Sequence, residues 1–181
     1  ARLDADWQSE QSALGTHLRT VCGLQNPASP KQVAHLLYDT FGLKPLTYTE
    51  SGQPSTARWV LETYAEDDGD IQTILDWRKL AKLRSTYLAP WLATTGRIHP
   101  DFNQVRQHGE DAEGATVTGR LSSSGPNFQN VPKRTPEGRK VRSCVVAAEG
   151  HSLVSFDFVQ TEWLLMGVAA QSKTILDAYV K

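Results

Sequence analysis

The most constraining feature of the sequence is a run of fifteen residues, 118–132, with the sequence TGRLSSSGPNFQNVP. It holds two glycines, two prolines, three consecutive serines and three side-chain amides. Because Gly, Pro, Ser and Asn favour turns, the run predicts an exposed loop and neither a helix nor a buried strand. Its hydroxyls and amides suit hydrogen bonding to an extended polar ligand.

A second informative segment is the apolar run Leu153–Phe158, which contains one acid, Asp157. Its composition predicts a β-strand that ends at Asp157, so that the carboxylate emerges at the edge of a sheet. Carboxylates bind Mg²⁺, which makes Asp157 a candidate metal ligand. The alternative is that Asp157 caps the next helix. Glu162 follows in the first turns of that helix, where an acid is also favourable for purely structural reasons.

The bulk composition bounds the class of protein. A chain of 181 residues that is 39% hydrophobic can bury a core as one domain or two small ones. The net charge of −1 differs from that of a dedicated DNA-binding domain, which is usually basic throughout. Charge is unevenly placed, however: residues 62–76 contain no Lys or Arg, whereas residues 133–142 carry five basic side chains against Glu137. Either run can be a solvated face. A functional role is favoured for the basic run, because it lies between the loop at 118–132 and the segment that carries Asp157.

The two cysteines, Cys22 and Cys144, lie far apart, and the sequence shows no signal peptide. These features predict an intracellular protein with reduced thiols. No apolar stretch approaches the roughly 20 residues of a membrane span, so no membrane partner is predicted.

The periodicity predicts a helical first half and a mixed second half with short strands, hence an α+β fold. The first helix is expected over 6–21, with a stop near Gly23 and a buried stripe of Trp7, Leu14, Leu18 and Val21. The second is expected from an N-cap at Ser29 to a stop at Gly42. A third helix should follow a cap at Ser55 or Thr56, and a fourth should span 70–93 with an interruption near Pro90. Strands are expected at 97–99, 102–106, 116–118 and 153–158, with a flexible loop at 107–114 and a last helix from 160 to 170 or on to 178. A domain boundary is placed near residue 94.

Residues 118–132 resemble the TGRLSS…PN.QN.P signature of the family A DNA polymerases, and Asp157–Glu162 is similar to the family's first catalytic palm motif, D-Y-S-Q-I-E-L-R. Residues 80–88 resemble a thumb segment of the family, residues 29–33 the start of an earlier thumb helix, and residues 134–142 the link between the two motifs. The five matches occur in family order over almost the whole chain. The resemblance implies a thumb-like helical region, 1–93, followed by the first part of a palm, 94–181, with part of a palm-like antiparallel sheet and a helix.

The resemblance also implies roles for individual residues. Asp157 and the carbonyl of Phe158 would bind two Mg²⁺ ions used in template-directed nucleotidyl transfer, and Glu162 would exclude ribonucleotides. Arg120 would contact the primer terminus and contribute to catalysis. The other implied contacts are to the primer-template duplex for Asn127, Gln129, Asn130, Lys82, Arg84 and Thr86, and to the incoming deoxynucleoside triphosphate for Arg134, Gln160 and Glu162.

Two departures qualify these implications. Leu164 replaces the arginine that usually follows the motif, and Val159 and Thr161 replace the usual Ser and Ile. The family's fingers helix and its later His-Asp-Glu motif have no counterpart in these residues. We therefore expect a polymerase fragment that needs a fingers and palm segment as partner, and that is inactive alone. The alternative is a non-catalytic DNA-binding or assembly module derived from the polymerase fold.

Overall fold

The structure is a computed structural model that describes residues 1–94, 96–104, 116, 118 and 120–180. The chain divides into two compact units, Ala1–Cys144 and Val145–Lys181, which we call unit 1 and unit 2. Helices dominate, and the described residues form one two-stranded antiparallel sheet. The predicted α+β fold class is confirmed.

Helix α1 spans Arg2–Val21, with Asp4 in its first turn and Arg19 in its last. Both charges complement the helix dipole. The helix stops just before Gly23, as predicted; Gly23 has φ +67°, and the Leu24 N–H donates to the carbonyl of Leu18 at 3.0 Å. The predicted stripe is right for Trp7 and Leu18, which are buried, and wrong for Val21, which is 61% exposed. Gly15 is buried instead, because its face packs against Trp77.

The second helix begins at the predicted cap. Helix α2 spans Pro30–Ala34, the Ser29 hydroxyl accepts a hydrogen bond from the Gln32 N–H, and the helix continues as a π-helical segment, His35–Thr40. Gly42, with φ +67°, follows as the predicted stop. Helix α3 spans Arg58–Ala65 and has Ala57 as its N-cap, so the predicted cap at Ser55 or Thr56 is wrong. Ser55 and Thr56 lie before the start of the helix, where their carbonyls accept hydrogen bonds from Tyr38 and Arg78 respectively.

Helix α4 spans Gly69–Leu83, and the Asp68 carboxylate caps it by accepting from the N–H groups of Asp70 and Ile71. The helical path continues through a π-helical segment, Arg84–Leu88, into α5, Ala89–Leu92. The predicted interruption near Pro90 is therefore wrong, since proline is tolerated in the first turn of α5. Helices α1 and α3 pack against α4. The core of unit 1 lies among them and consists of Leu18, Leu24, Val33, Leu36, Leu37, Leu61, Ile71 and Ile74.

The sheet of unit 1 pairs β1, Asp101–Asn103, with β2, Ser122–Ser124, and Phe102 lies opposite Ser123. A strand therefore occurs inside the run that was predicted to be all loop, and Ser123 within it is buried. The amide of Asn103 donates to the hydroxyls of Ser122 and Ser124, which explains how a serine run can hold a strand. No strand forms at 97–99. Of the predicted strand at 102–106, Phe102 and Asn103 lie in β1 and Gln104 does not, while 105–106 lie outside the described residues. Residues 105–115, which include the predicted loop, and parts of 116–118 lie outside the described residues.

Helix α6, Pro136–Ser143, was not predicted. It begins with Thr135 as N-cap, whose hydroxyl accepts from the Gly138 N–H at 3.1 Å, and has Pro136 at its first position. Gly138 is required there, because an added Cβ would lie 2.6 Å from the Cβ of Pro132 and 2.7 Å from its carbonyl oxygen.

Unit 2 contains α7, Thr161–Ala169, and α8, Lys173–Val180, which pack against each other. The chain turns between them at Gln171, which has φ +50°, so the last helix does not continue unbroken to residue 178. Leu153–Phe158 forms no strand, contrary to the prediction. A strand needs a neighbour for its backbone N–H and C=O groups, and no described residue pairs with this segment.

Candidate nucleic-acid interface

The amide residues of the 118–132 run form a compact turn in unit 1. The side-chain oxygen of Asn127 accepts from the backbone N–H groups of Gln129, at 3.1 Å, and Asn130, at 3.3 Å. The Ser123 hydroxyl accepts from the Phe128 N–H at 3.1 Å. We call residues 127–130 the amide turn. The turn-forming role of Asn127 is thus observed, while the side chains of Gln129 and Asn130 lie at the surface.

Two buried aromatic side chains join the amide turn to the helix that precedes it in unit 1. The Tyr87 hydroxyl donates to the carbonyl of Asn130 at 2.5 Å. The rings of Trp91 and Phe128 have centroids 5.5 Å apart, and Tyr87 packs edge-on against Trp91 at 6.0 Å. Burial raises the pKa of Tyr87, so its hydroxyl keeps its proton and remains a donor.

The three predicted duplex contacts on the preceding helix differ in environment. Lys82 and Thr86 are exposed. Arg84 is occupied within the protein, because its guanidinium contacts the Asp4 carboxylate at 2.8 Å and the Gln11 amide oxygen at 2.7 Å. Its side chain ties the π-helical segment to α1 and is only 22% exposed.

The basic segment that follows the amide turn presents its cations to solvent. Its exposed side chains are Lys133, Arg134, Arg139, Lys140 and Arg142. The one acid of the segment, Glu137, is paired with Lys79 of α4 at 3.2 Å. Two interactions hold the pKa of this carboxyl below its ordinary value. The larger is a backbone hydrogen bond at Glu137, and the smaller is the contact with the Lys79 ammonium. The surface is therefore strongly positive. Arg120, in the 118–132 run, is also exposed.

The second set of predicted residues lies in unit 2. Asp157 and Phe158 are exposed in a segment without regular structure. Asp157 does not cap α7: the N-cap is Gln160, in the left-handed conformation at φ 49°, and it makes no side-chain capping bond. The helix-capping alternative for Asp157 is therefore wrong. Glu162 lies in the first turn of α7, as predicted.

Within the described ranges, no group of three or more His, Cys, Asp or Glu side chains could hold a metal ion. Asp157 supplies one carboxylate and Phe158 one carbonyl, which is less than the six oxygen ligands of an octahedral Mg²⁺. These residues fit part of a metal site and do not complete one. No described helix is long and apolar enough to cross a membrane. Cys22 and Cys144 are both free thiols.

Sequence reasoning missed three residues that organise this interface, Tyr87, Trp91 and Phe128. Tyr87 and Phe128 fall inside the motifs already singled out, so their position was a usable signal. Their contacts could not be predicted, because Tyr87 and Asn130 lie 43 residues apart in the sequence.

A family model for DNA polymerase family A matches residues 1–181. The chain belongs to DNA polymerase family A. It is 41% identical over 162 residues to DNA polymerase I of Pseudomonas aeruginosa, covering 85% of this chain and 16% of that protein. It is 39% identical over 181 residues to DNA polymerase I of Rhizobium leguminosarum, covering 99% of this chain and 17% of that protein. The chain thus spans about a sixth of the length of these curated relatives.

A solved structure is also similar. The polymerase domain of Pol1 from M. smegmatis, in complex with DNA primer-template and dNTP, superposes with a TM-score of 0.76 at 29% identity. The match covers 95% of this chain and 30% of that one. The family resemblance predicted from the motifs is therefore confirmed.

Proposed function

We propose that this chain is the thumb and first palm part of a DNA-directed DNA polymerase, and that it works with a second segment carrying the fingers and the rest of the palm. The observation that carries the proposal is the likeness over 95% of the chain to a polymerase domain bound to primer-template and dNTP. In this proposal residues 1–93 are the thumb and 94–181 the beginning of the palm.

Unit 1 would hold the primer-template duplex. The amide side chains of Gln129 and Asn130 and the fork of Arg120 are donors that match the minor-groove acceptors N3 and O2, which recur in every base pair. Lys82, Thr86 and the basic segment suit phosphates, which carry no sequence information. Binding should therefore be independent of sequence and steeply reduced by salt.

Unit 2 would supply one side of the reaction centre. Asp157 and the carbonyl of Phe158 are oxygen ligands of the type that Mg²⁺ prefers, and bound Mg²⁺ would neutralise the triphosphate and activate the primer 3′-hydroxyl. The remaining carboxylate would come from the second segment. Glu162 would lie against the sugar and exclude a 2′-hydroxyl, and Gln160 would contact the incoming nucleotide, as would Arg134 of unit 1. Arg134 is exposed and cationic, as a triphosphate contact requires.

The second candidate function is a DNA-binding or assembly module without catalysis. It is favoured by Asp157 being the one proposed carboxylate ligand for Mg²⁺ in these residues, and by the lack of a metal-binding cluster among the described residues. The two candidates share the duplex-binding surface of unit 1. They differ only in what Asp157 does.

The test is primer extension with Mg²⁺ and deoxynucleotides, using this chain alone and mixed with the fingers and palm segment of a family A relative. We expect no extension by the chain alone and measurable extension by the mixture. Asp157→Ala should abolish incorporation by the mixture while primer-template affinity is unchanged, because the carboxylate acts only on the reacting groups. Asp177→Ala, in α8, is the matched control and should keep activity.

Three results would count against the proposal. Extension by the purified chain alone contradicts the need for a second segment. Near-normal turnover by Asp157→Ala contradicts the metal-site assignment. Duplex binding with no extension under any mixture favours the non-catalytic module.

A further inference from the structure

The contact between Tyr87 and the amide turn is a specific tie between two parts of unit 1. Tyr87 is 6% exposed and Trp91 8% exposed, so both lie almost fully inside the protein. The Tyr87 hydroxyl reaches the last carbonyl of the turn, that of Asn130, at 2.5 Å. Trp91 packs on Phe128 in the middle of the same turn.

These contacts engage several backbone groups of the turn. The N–H groups of Gln129 and Asn130 are bonded to the Asn127 side chain, and the Asn130 carbonyl is bonded to Tyr87. These bonds restrain the turn and leave the side-chain amides of Gln129 and Asn130 at the surface.

We propose that Tyr87 is a positioning residue for the primer-template duplex. Its hydroxyl fixes the amide turn to the helix that carries Lys82 and Thr86, so that minor-groove donors and phosphate contacts are held as one rigid surface. The inference rests on the proposed function, since it takes the duplex as the ligand. Preorganisation of this kind strengthens binding by avoiding the ordering cost of a loose loop.

The test compares two conservative variants in the full chain. Tyr87→Phe removes only the hydroxyl that bonds to Asn130. Tyr38→Phe removes a part-buried hydroxyl bonded in the same way, at 2.5 Å, to the Ser55 carbonyl, outside the proposed interface. Fluorescence anisotropy with a labelled primer-template duplex at low salt should show about three- to ten-fold weaker binding for Tyr87→Phe. Tyr38→Phe should bind like the wild-type chain even if both variants lose similar thermal stability.

A second readout does not depend on DNA. NMR should show faster solvent exchange of the Gln129 and Asn130 backbone amides in Tyr87→Phe and no change there in Tyr38→Phe. In a double-mutant cycle, Tyr87→Phe should add little to the effect of Asn127→Ala, because both act through the same turn.

The outcomes separate the two proposals. If the wild-type chain does not bind the duplex, the proposed function fails and this inference fails with it. If the wild-type chain binds but Tyr87→Phe matches it in affinity or amide exchange, only the positioning role is overturned. Equal losses in Tyr87→Phe and Tyr38→Phe would show a general stability effect and overturn it as well.

Discussion

Arg84 and Lys82 lie two positions apart on one helical path, and their side chains serve different purposes. Arg84 has a carboxylate and an amide of α1 as partners, whereas Lys82 is exposed. A guanidinium already bonded within the protein has fewer donors to offer a phosphate. At the residue scale, we therefore propose Lys82 and not Arg84 as a duplex contact, although the resemblance implied both.

Replacing each residue should separate the two roles. Arg84→Ala should lower the free energy of unfolding by about 1–2 kcal/mol, because it leaves Asp4 and Gln11 without their partner. Lys82→Ala should leave stability nearly unchanged, weaken duplex binding, and reduce the salt slope by about one. Thermal melts and anisotropy at several salt concentrations measure both quantities. Lys82→Arg, which keeps the charge, is the control; a full loss of affinity in Arg84→Ala at equal folded fraction would contradict the assignment.

Helix α6 shows how one element is fixed from two sides. Gly138 lets the helix approach Pro132, and Glu137 pairs with Lys79, which also contacts Asp76 on its own helix. The fold lowers the pKa of Glu137 below the ordinary 4.5, so folding favours its charged form. This contribution is present above the unfolded pKa and is lost as the pH falls through the folded pKa.

Glu137→Gln should therefore be less stable than the wild-type chain at pH 7. The difference should shrink below about pH 4.5 and disappear once Glu137 is protonated in the folded state. Urea melts between pH 7 and pH 3 measure it. Glu62→Gln is the control, since Glu62 pairs with Arg58 on an exposed face and surface pairs contribute little. A stability difference that stays constant across this pH range would contradict the role of the Glu137 charge.

Elements defined by local signals were predictable, and those defined by partners were not. The start at Ser29 and the stops at Gly23 and Gly42 depend on cap chemistry within a few residues. Thr135 and Pro136 carry the same signal as Ser29 and Pro30, so α6 could have been found.

Whether Leu153–Phe158 forms a strand could not be decided from its own residues, because strand pairing depends on another segment. The candidate site likewise combines features that local sequence predicts with features that depend on distant partners. Its polar residues were visible as contiguous motifs, but the Tyr87 contact and the internal pairing of Arg84 join residues 43 or more positions apart.

At the scale of the whole molecule, apolar side chains are placed unequally. The largest fully buried side chains, from Leu18 to Val141, all belong to unit 1. Unit 2 instead exposes Trp163, Leu165, Met166 and Val168 on α7 and most of the segment before it. The hydrophobic driving force of this chain is therefore concentrated in unit 1, and unit 2 is held mainly by its helix pair.

The exposed segment Leu153–Val159 has a consequence for solubility. It contains no Pro or Gly and one charge, and Phe156 is 87% exposed, so it has the composition of a cross-β aggregation site. Concentrated wild-type chain should form fibrils that bind thioflavin T, and Phe156→Lys should delay them at least several-fold. Phe102→Lys, at an exposed position already paired in β1, should have little effect. If Phe156→Lys aggregates as fast as the wild-type chain, another segment nucleates the fibrils. If Phe156→Lys delays the fibrils, the chain stays in solution only when it is dilute or when a partner covers this segment.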